Sequence, residues 1–153
     1  MTGQRIAVIK VGVRDSIQRG DIVVFDGVDY FIGRDFSQTA LDEFAVFLGF
    51  KNSFGLYAKR VIGLPGDTVR CCSEAGWLEV NGRELQEPYA VGRGGNIAFE
   101  VTVEPGNMWV MGDSRSESSD SRDLLGRPGG GQIPLDRIVG RVGFSMWPPA
   151  TIG

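Results

Sequence analysis

The chain has 153 residues, with 16 basic and 19 acidic side chains, a formal charge of −3 and no histidine. That length fits one domain, or one domain with an insertion, and buries enough surface to fold without a staple. The charge balance and the lack of a basic run argue against a general nucleic-acid binder, and no imidazole base is available. No stretch approaches the ~18–20 apolar residues of a membrane helix, and no secretory signal is present.

Glycine is abundant, at 23 residues, and helix-periodic stretches are few, so short strands joined by turns are expected. Arg5 to Val11 reads as a strand. A polar connection starting at Arg14-Asp15-Ser16 leads to a second strand, Asp21 to Phe25, which stops at the turn signal Asp26-Gly27. Between Ser37 and Leu48 the period changes. Leu41, Phe44, Ala45 and Leu48 fall on one helical face, and Gly49 fits a C-terminal cap, so a short amphipathic helix is predicted there.

Leu56-Tyr57-Ala58-Lys59-Arg60-Val61-Ile62 is an apolar strand with one lysine in it, ending in the turn Leu64-Pro65-Gly66-Asp67. Proline presets φ at the second turn position and glycine supplies the positive φ at the third. Thr68 to Cys72 is the next strand, and Trp77 to Leu85 is a hairpin around Asn81-Gly82, the pair that favours a type I′ turn. Gly92 to Asn96 is a loop. Ile97 to Val103 alternates apolar and polar residues as a half-buried strand does. After Pro105-Gly106, Met108 to Met111 is a buried strand that delivers Gly112-Asp113. Arg127 to Gly131 is a loop and Leu135 to Met146 the last strand region.

The two cysteines, Cys71 and Cys72, are adjacent. In a strand they point to opposite faces, and a bridge between neighbours closes a strained eight-membered ring. The plain reading is two small apolar strand residues, and the other is a vicinal disulfide or a redox role.

The chemistry concentrates in two segments, Lys59 to Asp67 and Gly112 to Arg122. A solvated lysine has a pKa near 10.4 and is a poor base at neutral pH, but burial against apolar groups disfavours the ammonium. A neutral amine can then take a proton from a serine hydroxyl that attacks a carbonyl. The alternative for Lys59 is a strand lysine that reaches solvent or pairs with a carboxylate.

Lys59 to Asp67 resembles the lysine box of bacterial type I signal peptidases. Gly112 to Arg122 resembles their G-D-N-R-x-x-S-x-D-S-R box, with Ser114 where asparagine is usual. Arg19 to Phe25 resembles the strand ahead of the lysine box, and Val139-Gly140-Arg141-Val142 with Trp147-Pro148-Pro149 resembles the closing strand. The resemblance implies a mainly antiparallel β catalytic core over 1–67 and 104–153, with a smaller inserted β subdomain over 68–103.

It also implies an endopeptidase that removes signal peptides from exported preproteins at small-x-small sites. Lys59 would be the general base and Ser118 the hydroxyl that orients it. Asp113, Ser114, Arg115, Asp120 and Arg122 would brace the loop, and Tyr57 and Ala58 would line the substrate pockets. No metal or cofactor is implied. The partners would be preprotein signal peptides and a bilayer surface met by an apolar patch drawn from Phe44, Phe47, Leu48, Phe50 and Trp147, for each of which core packing is the plainer reading.

The site would face outward from the bacterial cytoplasmic membrane. The family's amino-terminal anchor and its S-M-x-P nucleophile segment precede the first strand. Here the chain opens at Met1-Thr2-Gly3, so a soluble piece without its nucleophile, inactive alone, is expected. Two serines mimic that nucleophile: Ser16, which lacks the proline context, and Ser145 of Ser145-Met146-Trp147-Pro148, at the wrong end of the chain. The competing readings are a noncatalytic β module that binds signal peptides or partners, and a self-cleaving serine-lysine repressor-type domain.

Overall fold

The computed structural model describes residues 5–9, 16–31, 55–147 and 149–150. The amphipathic segment 37–48 lies outside them. By their contacts the described residues divide into two units. One falls within Met1–Ile17, Asp21–Ala58 and Arg137–Gly153, the other within Gln18–Gly20 and Lys59–Asp136.

The first unit is built on three antiparallel strands. β1 (Arg5–Ile9) and β2 (Ile22–Asp26) both pair with the long closing strand β10 (Ile138–Trp147), and β11 (Pro149–Ala150) folds back on its end. Val23, Val24 and Phe25 are consecutive and all buried, which covers both faces of β2. Asp26 ends the strand by accepting the Val28 amide, and the single helical turn Val28–Phe31 follows. The first three residues of β3 (Leu56–Gly63) belong to this unit, and the Tyr57 ring lies 6.2 Å from that of Phe25.

The rest of β3 belongs to the second unit, where it pairs with β8 (Asn107–Met111). β9 (Ile133–Pro134), which the sequence did not suggest, closes the other edge of β8. A separate four-stranded antiparallel sheet lies between β3 and β8 in sequence. Its strands are β4 (Thr68–Cys71), β5 (Leu78–Val80), β6 (Arg83–Glu84) and β7 (Phe99–Thr102), in the order β6-β5-β4-β7. Asn81 and Gly82 both take positive φ, as the type I′ hairpin requires, and so does Gly66 in the turn after β3. One apolar core joins this sheet to β3 and β8. Ile62, Val69, Leu78, Trp109 and Met111 are each at most 1% exposed in it, and the rings of Phe99 and Trp109 lie 5.0 Å apart.

Three sequence expectations change. The last strand starts at Ile138 rather than Leu135, because Leu135–Arg137 forms a 3-10 turn. β7 is shorter than the alternation over 97–103 suggested. Cys71 and Cys72 are joined as a disulfide and are not two separate strand residues. The bridge ends β4 at Cys71 and puts both sulfurs against Gly94, whose absent Cβ would lie 2.5 Å from Cys72 Sγ and 3.2 Å from Cys71 Sγ.

Candidate active site

β3 passes from half-buried to buried along its length, and Lys59 is the last residue before the change. The register pairs Arg60 with Met111 at the end of β8. One step back, Lys59 comes alongside Gly112, the first residue after β8. A Cβ built on Gly112 would lie 3.5 Å from Lys59 Nζ and would collide with the Ser118 hydroxyl. The amine and the hydroxyl therefore crowd the same side of one glycine.

The loop that returns Ser118 to this place is tightly folded. The Ser114 carbonyl accepts from the Ser118 amide at 2.9 Å and from the Glu117 amide at 3.2 Å. Asp120, fully buried, accepts from the Gly112 amide (3.0 Å) and from Arg122 Nε and Nη2 (2.8 Å each). It also caps the 3-10 turn Ser121–Leu124 by accepting from the Arg122 amide. Asp123 completes a capping box by accepting from the Asp120 amide. The Ser121 hydroxyl accepts from the Val110 amide, which ties the turn to β8.

Arg115 and Arg60 brace the loop from two further directions. Arg115 Nε donates to the Gly112 carbonyl at 3.0 Å, and its two terminal nitrogens donate to the Glu87 carboxylate at 2.7 and 2.6 Å. Arg60 holds the Asp113 carboxylate through two bonds of 2.8 Å and donates to the Gly20 carbonyl at 2.7 Å. Glu87, Tyr89 and Arg60 were missed in the sequence. Their signal is faint, a Glu-Pro-Tyr triplet in a loop and an arginine masked by the lysine before it.

Electrostatics at the amine follow from this arrangement. Burial pushes the Lys59 pKa below the ordinary lysine value. The Asp120 charge opposes the shift, Arg122 assists it, and Asp123 and Asp113 oppose it. Asp120 and Asp113 are each held by an arginine in bidentate contact, which blunts their pull on the ammonium.

The other predicted residues are placed as follows. Tyr57 and Ala58 precede Lys59 on β3, both half-buried, and burial raises the Tyr57 phenol. Ser116 is exposed, and with Ser118 it borders a cavity of about 400 Å³ also lined by Asn96 and Ile97. Ser16 is exposed, and its carbonyl accepts from Arg141 at 3.5 Å. Ser145 is paired inside β10. Phe44, Phe47, Leu48 and Phe50 lie outside the described residues, and Trp147 is described only as backbone at the end of β10. No helix among the described residues is long and apolar enough to cross a membrane, and no group of three or more acidic or cysteine side chains there could hold a metal.

Gly112→Ala tests the crowding directly. The new methyl has nowhere to go but into Ser118, so the hydroxyl must leave the amine or the loop must shift. A loss of about 1–3 kcal/mol is expected, the usual cost of overpacking, and denaturant unfolding reads it.

Fold and site together define a mainly antiparallel β protein with a half-buried lysine on β3 set against a serine- and arginine-rich loop. The chain belongs to the signal peptidase family, peptidase S26, whose pattern it matches over residues 1–147. It is similar to a signal peptidase I of Mycobacterium tuberculosis, 37% identical over 99% of this chain and 60% of that protein. It is also similar to a signal peptidase I of Bacillus licheniformis, 36% identical over 95% of this chain and 68% of that protein. A solved signal peptidase I of Enterococcus faecalis V583 matches with a TM-score of 0.54 and 26% identity, over 82% of this chain and 96% of that one. The chain thus spans about three-fifths of the length of the mycobacterial relative.

Proposed function

We propose that this domain is the extracytoplasmic part of an endopeptidase that removes signal peptides, with Lys59 as its general base. The single observation that supports this most is the half-buried Lys59 amine, lowered in pKa by that burial and set beside the Ser118 hydroxyl over Gly112. A neutral amine has one lone pair and two N–H groups. With one N–H donated to Ser118 Oγ, the lone pair is aimed at the attacking serine. That serine's Oγ bonds to the scissile carbonyl carbon while its proton passes to Lys59 Nζ. The resulting ammonium returns the proton to the leaving amine as the peptide bond breaks, and water then releases the acyl group.

A hydroxyl suits the orienting role because it carries no charge, whereas a carboxylate would hold the lysine protonated. Tyr57 and Ala58, next to Lys59 on β3, are read as pocket-lining residues for the small side chains of a small-x-small site. Residues 68–103 are read as an inserted subdomain. Asp113, Arg115, Asp120 and Arg122 are read as the bracing of the loop, and Ser114 takes part through its carbonyl.

Ser16, exposed at the surface, and Ser145, paired inside β10, are poor candidates for the attacking serine. The test is hydrolysis of a synthetic preprotein peptide by the protein expressed from its complete reading frame, compared with a Ser118→Ala variant. Cleavage at a small-x-small site is expected, with Ser118→Ala losing about 10–100-fold in kcat, somewhat less than the full contribution of an acid–base group. Peptide binding without cleavage by the complete protein would instead favour a noncatalytic binding module.

A further inference from the structure

Segment 87–91 lies across the loop that carries Ser118, and its side chains are more deeply engaged than a surface connection requires. Proline at 88 restricts Glu87 to extended backbone. The Glu87 and Arg115 side chains are each 1% exposed and meet in a bidentate pair. The Tyr89 hydroxyl donates to Glu87 Oε1 at 2.9 Å, and the Arg60 guanidinium stacks on the Tyr89 ring at 3.8 Å from its centre. The backbone adds two bonds. The Val91 amide donates to the Asp113 carbonyl at 2.8 Å, and the Arg115 amide donates to the Val91 carbonyl at 3.0 Å.

Two lines of contact run from this strap to the start of the 112–118 loop. One goes from Glu87 through Arg115 to the Gly112 carbonyl. The other goes from Tyr89 through Arg60, the residue after Lys59, to Asp113. Both end on Gly112 and Asp113, the first residues of the loop that brings Ser118 back beside Lys59.

We propose that Glu87 and Tyr89 are positioning residues for the reaction, acting as a strap that presses the 112–118 loop onto Lys59 and keeps water from its amine. The inference rests on the reading of Lys59 as the base. Glu87 does not act on Lys59 by charge. The groups that do are Asp120, Arg122, Asp123 and Asp113. A change in the lysine on altering Glu87 must therefore travel through the loop.

The experiment compares Glu87→Gln and Tyr89→Phe with the parent in two ways. The first is the titration of the Lys59 side chain by NMR in the 153-residue chain. The second is the pH dependence of kcat in the protein from the complete reading frame. A loosened strap admits water to the amine and returns its pKa toward the ordinary value, and each unit of rise leaves about one-tenth of the neutral amine at a fixed lower pH. The expected result is a kcat about 3–10-fold lower near neutrality, recovery toward the parent at alkaline pH, and an unchanged KM.

A merely structural role would lower the melting temperature and leave the Lys59 titration where it was. That outcome in folded variants overturns the proposal. If Glu87→Gln does not fold, Tyr89→Phe decides alone, because it keeps the ring under Arg60 and removes only the hydroxyl. An ordinary Lys59 titration in the parent would instead overturn the reading of Lys59 as the base.

Discussion

Lys59→Ala, made in the protein expressed from its complete reading frame, is expected to lower kcat for preprotein peptide by about 10²–10⁴-fold, the range that one positioned general base contributes. The fold should survive, because the substitution removes a group that burial disfavours in its charged form. Stability should in fact respond to pH in a way that identifies the residue. The folded-state pKa of Lys59 is lowered by burial, so the unfolded chain binds the extra proton over the window between that lowered pKa and the ordinary value near 10.4. Stability therefore rises with pH through that window, and below it the full cost of charging the half-buried amine is present. Lys59→Ala should flatten that slope in urea melts taken at several pH values. Retained cleavage by a folded Lys59→Ala variant would end the assignment of Lys59 as base.

The largest loss of stability is expected from Asp120→Ala. The carboxylate is completely buried and answers four donors at once: the amides of Gly112 and Arg122, and two nitrogens of the Arg122 guanidinium. Removing it leaves Arg122, itself 6% exposed, with an uncompensated charge, and leaves the 3-10 turn uncapped. Breaking one partner of a buried pair typically costs about 3–5 kcal/mol, far more than a surface pair such as Arg70 with Glu79. Denaturant midpoints compared with Arg70→Ala would show the contrast. Arg122 also donates to the Arg115 carbonyl, so the Asp120 variant should lose the geometry around Gly112 along with its stability. A midpoint within experimental error of the parent would mean that the loop is braced from elsewhere.

How much of this was legible in the sequence depended on the range of the interaction. Local signals were read well. Pro65-Gly66 and Asn81-Gly82 name their turns because backbone sterics act within two residues, and the alternation from 97 to 103 located β7 to within two residues. The type of the last strand was clear, but its start was not, because Leu135–Arg137 is held by contacts made after folding. The Leu135 amide, for instance, donates to the Gly106 carbonyl.

The vicinal disulfide was an alternative that residue identity could not raise above the plainer one. At the site, Lys59 and the 112–122 loop were legible through their resemblance to the signal peptidase boxes, since a lone strand lysine or a loop with five serines is by itself more often structural. The Asp120 capping box was readable from the aspartate three residues ahead of Asp123 but was overlooked beside the five serines. Glu87 and Tyr89 were not readable. Their partners Arg115 and Arg60 are 28 and 29 residues away in sequence, and no local pattern reports a contact of that range.

The account turns on whether burial holds the Lys59 amine below the ordinary lysine value, and one measurement addresses it. The chain has only three lysines, Lys10, Lys51 and Lys59, so their side-chain NMR signals can be followed separately across pH and Lys59 assigned by its loss in Lys59→Met. The account predicts that the Lys59 signal titrates below its ordinary value near 10.4, and that Ser118→Ala leaves the amine titratable but less well ordered. A Lys59 signal that titrates where a solvated lysine does would contradict it.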